Sequence, residues 1–105
     1  MKTVNVHELK QLIDEKHDFQ LIDVRETFEN ELCNLNGILI PMAEIESRVD
    51  EISKDKKVVV LCRSGMRSAT VITYLEQNHG YSNLFNLTGG ILAWSAEIDP
   101  TMPSY

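Results

Sequence analysis

Basic residues are scarce in this chain: ten Lys and Arg stand against sixteen Asp and Glu, giving a net charge of −6. That balance argues against nucleic acid, whose phosphates are bound through basic patches, so any anion site must be local. Cysteine is limited to Cys33 and Cys62, too few for a disulfide framework. No run approaches the roughly 18 apolar residues of a membrane span. The start, Met1-Lys2-Thr3-Val4-Asn5, lacks the apolar stretch of a signal peptide, so a cytoplasmic location is expected. In that reducing compartment both cysteines are expected as thiols. His7, His17 and His79 have no ligand spacing with either cysteine, so neither zinc nor any other cofactor is expected. There is no repeat, low-complexity segment or internal linker.

What remains is an ordinary globular composition, 43% hydrophobic and 25% charged in 105 residues. Such a length supports one core burying roughly 60 to 70% of the unfolded surface, so residues 1–105 are expected as a single domain. Val6, Leu9, Leu12 and Ile13 carry helical spacing against a polar face of Glu8, Lys10, Gln11, Asp14 and Glu15. Phe19 to Val24 is a short apolar run consistent with a buried strand. Thr27 is a plausible cap for a short helix through Leu32, before the turn chemistry of Asn34, Asn36 and Gly37 and the brief apolar stretch Ile38-Leu39-Ile40. Met42, Ile45, Val49 and Ile52 recur at three-four-three spacing, predicting a second amphipathic helix over Met42 to Ser53. Val58-Val59-Val60-Leu61 reads as a central strand covered on both faces, with Cys62 at its carboxyl end. A helix follows from about Arg67 to Gln77, stopped by Asn78-His79-Gly80. Ser82 to Leu87 reads as a last strand, and Gly89-Gly90 opens a final helix through Trp94. Strands alternating with helices predict an α/β domain with parallel pairing and helices on both faces of the sheet.

In open α/β sheets the site lies beyond the carboxyl ends of the strands, where Asp23-Val24-Arg25-Glu26 and Cys62-Arg63-Ser64-Gly65 fall. A strand, a tight glycine-bearing loop and a helix start aim several backbone N–H groups into the loop, where the helix dipole adds partial positive charge. Cys62 in such a loop, near Arg63 and Arg67, meets the conditions that depress a thiol pKa from about 8.5, and a thiolate at neutral pH is expected. The plainer reading of Cys62 is a small buried hydrophobe ending a strand, and that of the arginines is solvated charge. Two guanidiniums beside one cysteine in an acidic protein favour an anionic substrate instead. Ser64 and Ser68 can donate to a bound anion, and Ser68 can equally cap a helix. Gly65 is expected to supply a positive φ.

Three stretches together carry a resemblance: Leu21-Ile22-Asp23-Val24-Arg25-Glu26, Cys62-Arg63-Ser64-Gly65-Met66-Arg67-Ser68 and Leu87-Thr88-Gly89-Gly90-Ile91-Leu92-Ala93-Trp94 look like the signature stretches of single-domain rhodaneses, in the same order and spacing. The resemblance covers nearly the whole chain. It implies a central five-stranded parallel sheet flanked by helices and a Cys62 that cycles between thiolate and persulfide, taking sulfane sulfur from a donor such as thiosulfate and passing it to cyanide, a thiol or a sulfur-carrier protein. The bound sulfur anion is then held by Arg63, Ser64, Gly65, Met66, Arg67 and Ser68. Asp23 is expected as structural support, Arg25 as a further substrate-binding candidate, and Gly89, Gly90 and Trp94 as packing. Where Gly-His-Ile is common in the family, Cys33-Asn34-Leu35 stands here. That stretch and the ending Ile98 to Tyr105 look like the rhodanese segment of enzymes that adenylate sulfur carriers, suggesting a carrier or its activating enzyme as acceptor. Cys33 reads as core between Leu32 and Leu35 rather than as a resolving thiol.

Two rivals stand beside this reading. A cysteine-arginine loop also serves phosphatases and arsenate reductases, but these place five residues between cysteine and arginine, whereas four separate Cys62 from Arg67, a shorter loop suited to one sulfur atom. A non-catalytic rhodanese-like module commonly lacks the cysteine, which is present here.

Overall fold

The computed structural model describes residues 1–105. Five parallel strands form one sheet in the order β1-β5-β4-β2-β3. They are β1 (Thr3–Val4), β2 (Phe19–Asp23), β3 (Ile38–Leu39), β4 (Lys57–Leu61) and β5 (Leu84–Leu87). The helices are α1 (Val6–Asp14), α2 (Thr27–Leu32), α3 (Met66–His79) and α4 (Gly90–Glu97). The fold is α/β, and its central strand is the β-branched run the sequence singles out. Alternation along β4 explains why that run is apolar throughout. Val58, Val60 and Cys62 pack with Val71, Ile72 and Leu75 on one side, while Val59 and Leu61 pack with Val6, Leu9, Ile91 and Trp94 on the other. A strand covered on both faces has no polar side to show.

Helix α1 begins where Asn5 accepts from the Glu8 N–H and Glu8 reaches back to the Asn5 N–H, both at 2.8 Å, a reciprocal arrangement that satisfies two end donors. Helix α3 runs one residue earlier and two later than its apolar pattern predicts, and stops at Gly80 with φ +67°, the left-handed position that glycine adopts without strain. The start of α2 is shifted: Glu26, not Thr27, is the capping residue, and its N–H donates to the Glu29 carboxylate at 3.0 Å.

The expected helix over Met42 to Ser53 is a correction. Two single 3₁₀ turns, Met42–Glu44 and Val49–Glu51, stand there, joined by turns. Amides at Glu44, Ile45, Glu51 and Ile52 donate three residues back, and Arg48, at φ −121° and ψ 19°, leaves the helical region. A spacing of three, four and three is met as well by two tight turns as by an α-helix, and Ile45 and Ile52 are buried either way. Three β-branched residues lower the helix's own claim on the segment. The two-residue β1 was unmarked by any apolar run; it exists because Asn86 and Thr88 donate to the Lys2 and Val4 carbonyls at 2.9 and 2.8 Å.

Candidate active site

β4 delivers Cys62 to the carboxyl edge of the sheet, between the ends of β2 and β5, and the chain turns at once through residues 63–65 into α3. Cys62 is fully buried. The Gly65 N–H donates to Cys62 Sγ at 3.0 Å, and Ser68 Oγ lies 3.3 Å from it. Burial pushes the thiol up, but the Ser68 hydroxyl and the N–H groups of Ser68, Gly65 and Ser64 outweigh it, and the net direction is below the ordinary thiol value. The groups that lower it stand at the start of α3, and donors to the charged form favour ionisation. Gly65 takes φ +108°, outside the range an L side chain adopts readily.

The loop is shaped from behind by α4. The Ile91 and Leu92 N–H groups donate to the Cys62 and Arg63 carbonyls at 3.0 and 3.1 Å, turning those carbonyls away from the sulfur. Gly90 makes this approach possible, because a Cβ there would lie 2.4 Å from the Arg63 oxygen and 2.5 Å from the Cys62 oxygen, at φ +60°. The residue expected to serve packing thus sets the direction of the loop peptides.

Around the sulfur the predicted residues divide. Arg67 is paired with Glu29 at 2.7 and 2.9 Å and is half-buried. It keeps further N–H groups for an anion, since one from each terminal nitrogen is committed. Arg63 is exposed, with its guanidinium 5.1 Å from the Tyr105 ring centre and donating to the Tyr105 main-chain oxygen. Ser64 is exposed, and Met66 points to solvent at 78% exposure. Arg25 requires a correction. It is fully buried, and its donors go to Asp23, to the Glu29 and Cys33 carbonyls and to the Tyr105 hydroxyl. All five N–H groups are spoken for, leaving none for a substrate. Asp23, also buried, accepts from Arg25 and Asn30 and supports this corner.

Cys33 packs in the cluster on the opposite side of the sheet from the one that holds Cys62. Its Sγ lies 3.7 Å from the Pro103 carbonyl, in keeping with a core residue. Two residues the sequence did not flag belong to the site. Glu29 joins Arg67, the Glu26 N–H and Tyr105, and its one sequence mark is the Glu26-x-x-Glu29 spacing of a capping pair. Asn86 on β5 contacts Ser68 and Gly65; an asparagine inside an otherwise apolar strand was the available signal.

The rhodanese-like domain family model matches residues 5–97. Among curated relatives, "Putative sulfurtransferase YtwF" of Bacillus subtilis is 37% identical over 101 residues, covering 95% of this chain and 96% of that protein. Others are longer. "Rhodanese-like/PpiC domain-containing protein 12, chloroplastic" of Arabidopsis thaliana is 34% identical over all of this chain, which spans 38% of its length. "Probable adenylyltransferase/sulfurtransferase MoeZ" of Mycobacterium tuberculosis is 32% identical over 98% of this chain, which spans 27% of its length. A crystal structure of a rhodanese-like domain protein from Staphylococcus aureus superposes with a TM-score of 0.81 at 35% identity, over 90% of this chain and 91% of that one.

Two predictions follow from this geometry. Gly90→Ala forces a side chain into two carbonyls at a left-handed φ and should cost about 2 kcal/mol or more, read as a fall of roughly 10 °C in the unfolding midpoint; an unchanged midpoint would remove the close approach from the account. Glu29 is held at about 2 against an ordinary 4.5, chiefly by Arg67, against the opposing effect of burial. A carboxyl depressed in the folded state adds stability that is complete above 4.5 and is lost as pH falls toward 2, on the order of 3 kcal/mol for such a shift. The stability gap between the wild type and Glu29→Gln, measured by urea unfolding, should therefore narrow as pH falls from about 6 to about 2. A gap independent of pH would show that the charge of Glu29 is not what stabilises.

Proposed function

This chain belongs to the rhodanese-like family of sulfurtransferases, and from that membership we propose that it moves sulfane sulfur from thiosulfate or a similar anionic donor to a thiophilic acceptor through a persulfide on Cys62. The observation that carries the reading is a buried Cys62 Sγ at the start of α3 that accepts from the Gly65 N–H at 3.0 Å and lies 3.3 Å from Ser68 Oγ. Cys62 thiolate attacks the outer sulfur of thiosulfate, the S–S bond breaks, and sulfite leaves with its electron pair. Cys62 now carries S–S⁻, and the charge that entered on thiosulfate has left on sulfite. An acceptor such as cyanide takes the terminal sulfur as thiocyanate and regenerates the thiolate, so no net oxidant is consumed. Covalent catalysis of this kind divides the transfer into two steps, each with its negative charge facing the same donors.

Arg67 and Arg63 are the groups at the mouth for the approaching dianion. Burial of Cys62 shields the persulfide from bulk solvent and stray thiols. For the acceptor, the likeness to the rhodanese segment of MoeZ supports a sulfur-carrier protein or its activating enzyme, with the reducing cytoplasm as the compartment in which both cysteines stay free.

Incubation with thiosulfate should add about 32 Da, one sulfur atom, at Cys62. Thiocyanate should then form with cyanide, and Cys62→Ser should abolish both. Hydrolysis of aryl phosphates with no sulfur transfer would sink the proposal in favour of a phosphatase. Neither activity, in a folded protein, would favour a binding module.

A further inference from the structure

Ser68 has one hydroxyl proton and two neighbours able to accept it. Its Oγ lies 3.3 Å from Cys62 Sγ and 2.5 Å from Asn86 Oδ1. The Asn86 amide has its orientation fixed, because Nδ2 donates to the Gly65 carbonyl at 3.0 Å and a flip would set two oxygens against each other. Oδ1 carries no hydrogen, so Ser68 is the donor in the short bond. The serine then offers only lone pairs to Cys62, and the sulfur must be the donor in its own contact with Ser68. This arrangement fits a protonated thiol. A thiolate needs the opposite, a Ser68 hydroxyl aimed at the sulfur.

We propose that Asn86 is a positioning residue that restrains the ionisation of Cys62 by competing for the single proton of Ser68. In the thiol state that proton rests against Asn86. When Cys62 gives its own proton to solvent, the Ser68 hydroxyl turns about its C–O bond and donates to the sulfur anion, releasing Asn86 Oδ1. No proton passes between serine and cysteine. One neutral hydrogen bond is exchanged for a charge-assisted one, and the buried amide oxygen left without a partner opposes the change. The other end of the same amide holds Gly65, whose N–H serves the sulfur. Asn86 therefore couples the shape of the loop to the protonation state at its centre. It also accounts for a polar side chain, 9% exposed, on the face of β5 that Leu84 otherwise fills with hydrocarbon.

The charged and titratable groups at this edge of the sheet are Asp23 at the end of β2 and Arg25 just after it, Glu29 on α2, Arg67 on α3, and Arg63 with Tyr105; Lys57 on β4, Tyr74, Glu76 and His79 on α3, Glu31 on α2 and Glu97 on α4 are the others on these elements. All are retained in the test. The Cys62 titration is measured as the pH dependence of iodoacetamide alkylation, read on the Cys62 peptide by mass spectrometry. The proteins are wild type, Asn86→Ala, Ser68→Ala and the double variant, with circular dichroism confirming the fold. Ser68→Ala should raise the midpoint. Relative to its effect in the Ser68→Ala background, Asn86→Ala in the wild-type background should lower the midpoint by roughly half a pH unit or more, about a threefold change in thiolate fraction. Loosening of Gly65 affects both backgrounds alike and cancels in the comparison. Asn86→Leu, which fills the site with hydrocarbon, should give the same sign and stands in if the alanine variant does not fold. Equal shifts in the two backgrounds, or none in either, overturn the proposal. It deepens the reading of Cys62 as nucleophile and rests on it for relevance to turnover, yet alkylation reports the thiol whether or not sulfur is transferred, so the two fail separately.

Discussion

A peptide carries its N–H and its C=O on opposite sides, so a loop can aim donors at one atom only if its carbonyls find partners elsewhere. That constraint organises the carboxyl edge of this sheet. The Cys62 and Arg63 carbonyls are taken by the first amides of α4, and the Gly65 carbonyl by Ala69 in α3 and by Asn86 on β5. Each partner comes from a different element: the helix that follows the loop, the neighbouring strand, and a helix almost thirty residues onward in the chain. The parallel sheet matters to the site chiefly because it brings these elements to one edge.

The same reasoning explains which parts of the molecule were legible in the sequence. β4 and α3 were readable because burial on both faces, and on one face, leaves a periodic record in Val58 to Leu61 and in Val71, Ile72 and Leu75. Cys62, Gly65 and Gly90 could be noticed because unusual residues stand at a strand end and at a helix start. What Gly90 is for could not be read, since its role is a distance to carbonyls 27 and 28 residues away in sequence. Met42 to Ser53 misled because apolar spacing records which residues face the core and not how many residues make a turn. β1 left no pattern because two residues are too few to show one.

Arg25 shows the limit of counting charges. In the sequence it is one more cation beside an anion site; in the structure its burial is made tolerable by saturating every donor, with Asp23 as the balancing charge. A buried guanidinium with all partners in place is a structural element, and one partner removed would leave a costly orphan. Its neighbour Arg67 differs because the side chain is about a third exposed, so that donors not used by Glu29 can meet solvent or a ligand.

Asp23, Arg25, Glu29 and Arg67 alternate in sign and are linked by direct contacts, with Arg25 donating to Asp23 and to the Glu29 main chain and Arg67 closing on the Glu29 carboxylate. The four formal charges cancel. The downward pull on the Cys62 thiol comes from hydrogen-bond donors rather than from these charges, and Arg63, the second arginine near the cysteine, stands outside the balanced set, exposed and turned to Tyr105. The backbone N–H dipoles are held at short range from a buried sulfur, where salt screens them little. Arg67 keeps uncommitted donors at the rim of the loop, while the Gly65 N–H faces the sulfur inside it. An acidic protein can hold an anionic sulfur on those terms because the selectivity is built into peptide orientation, which the net charge of −6 leaves untouched.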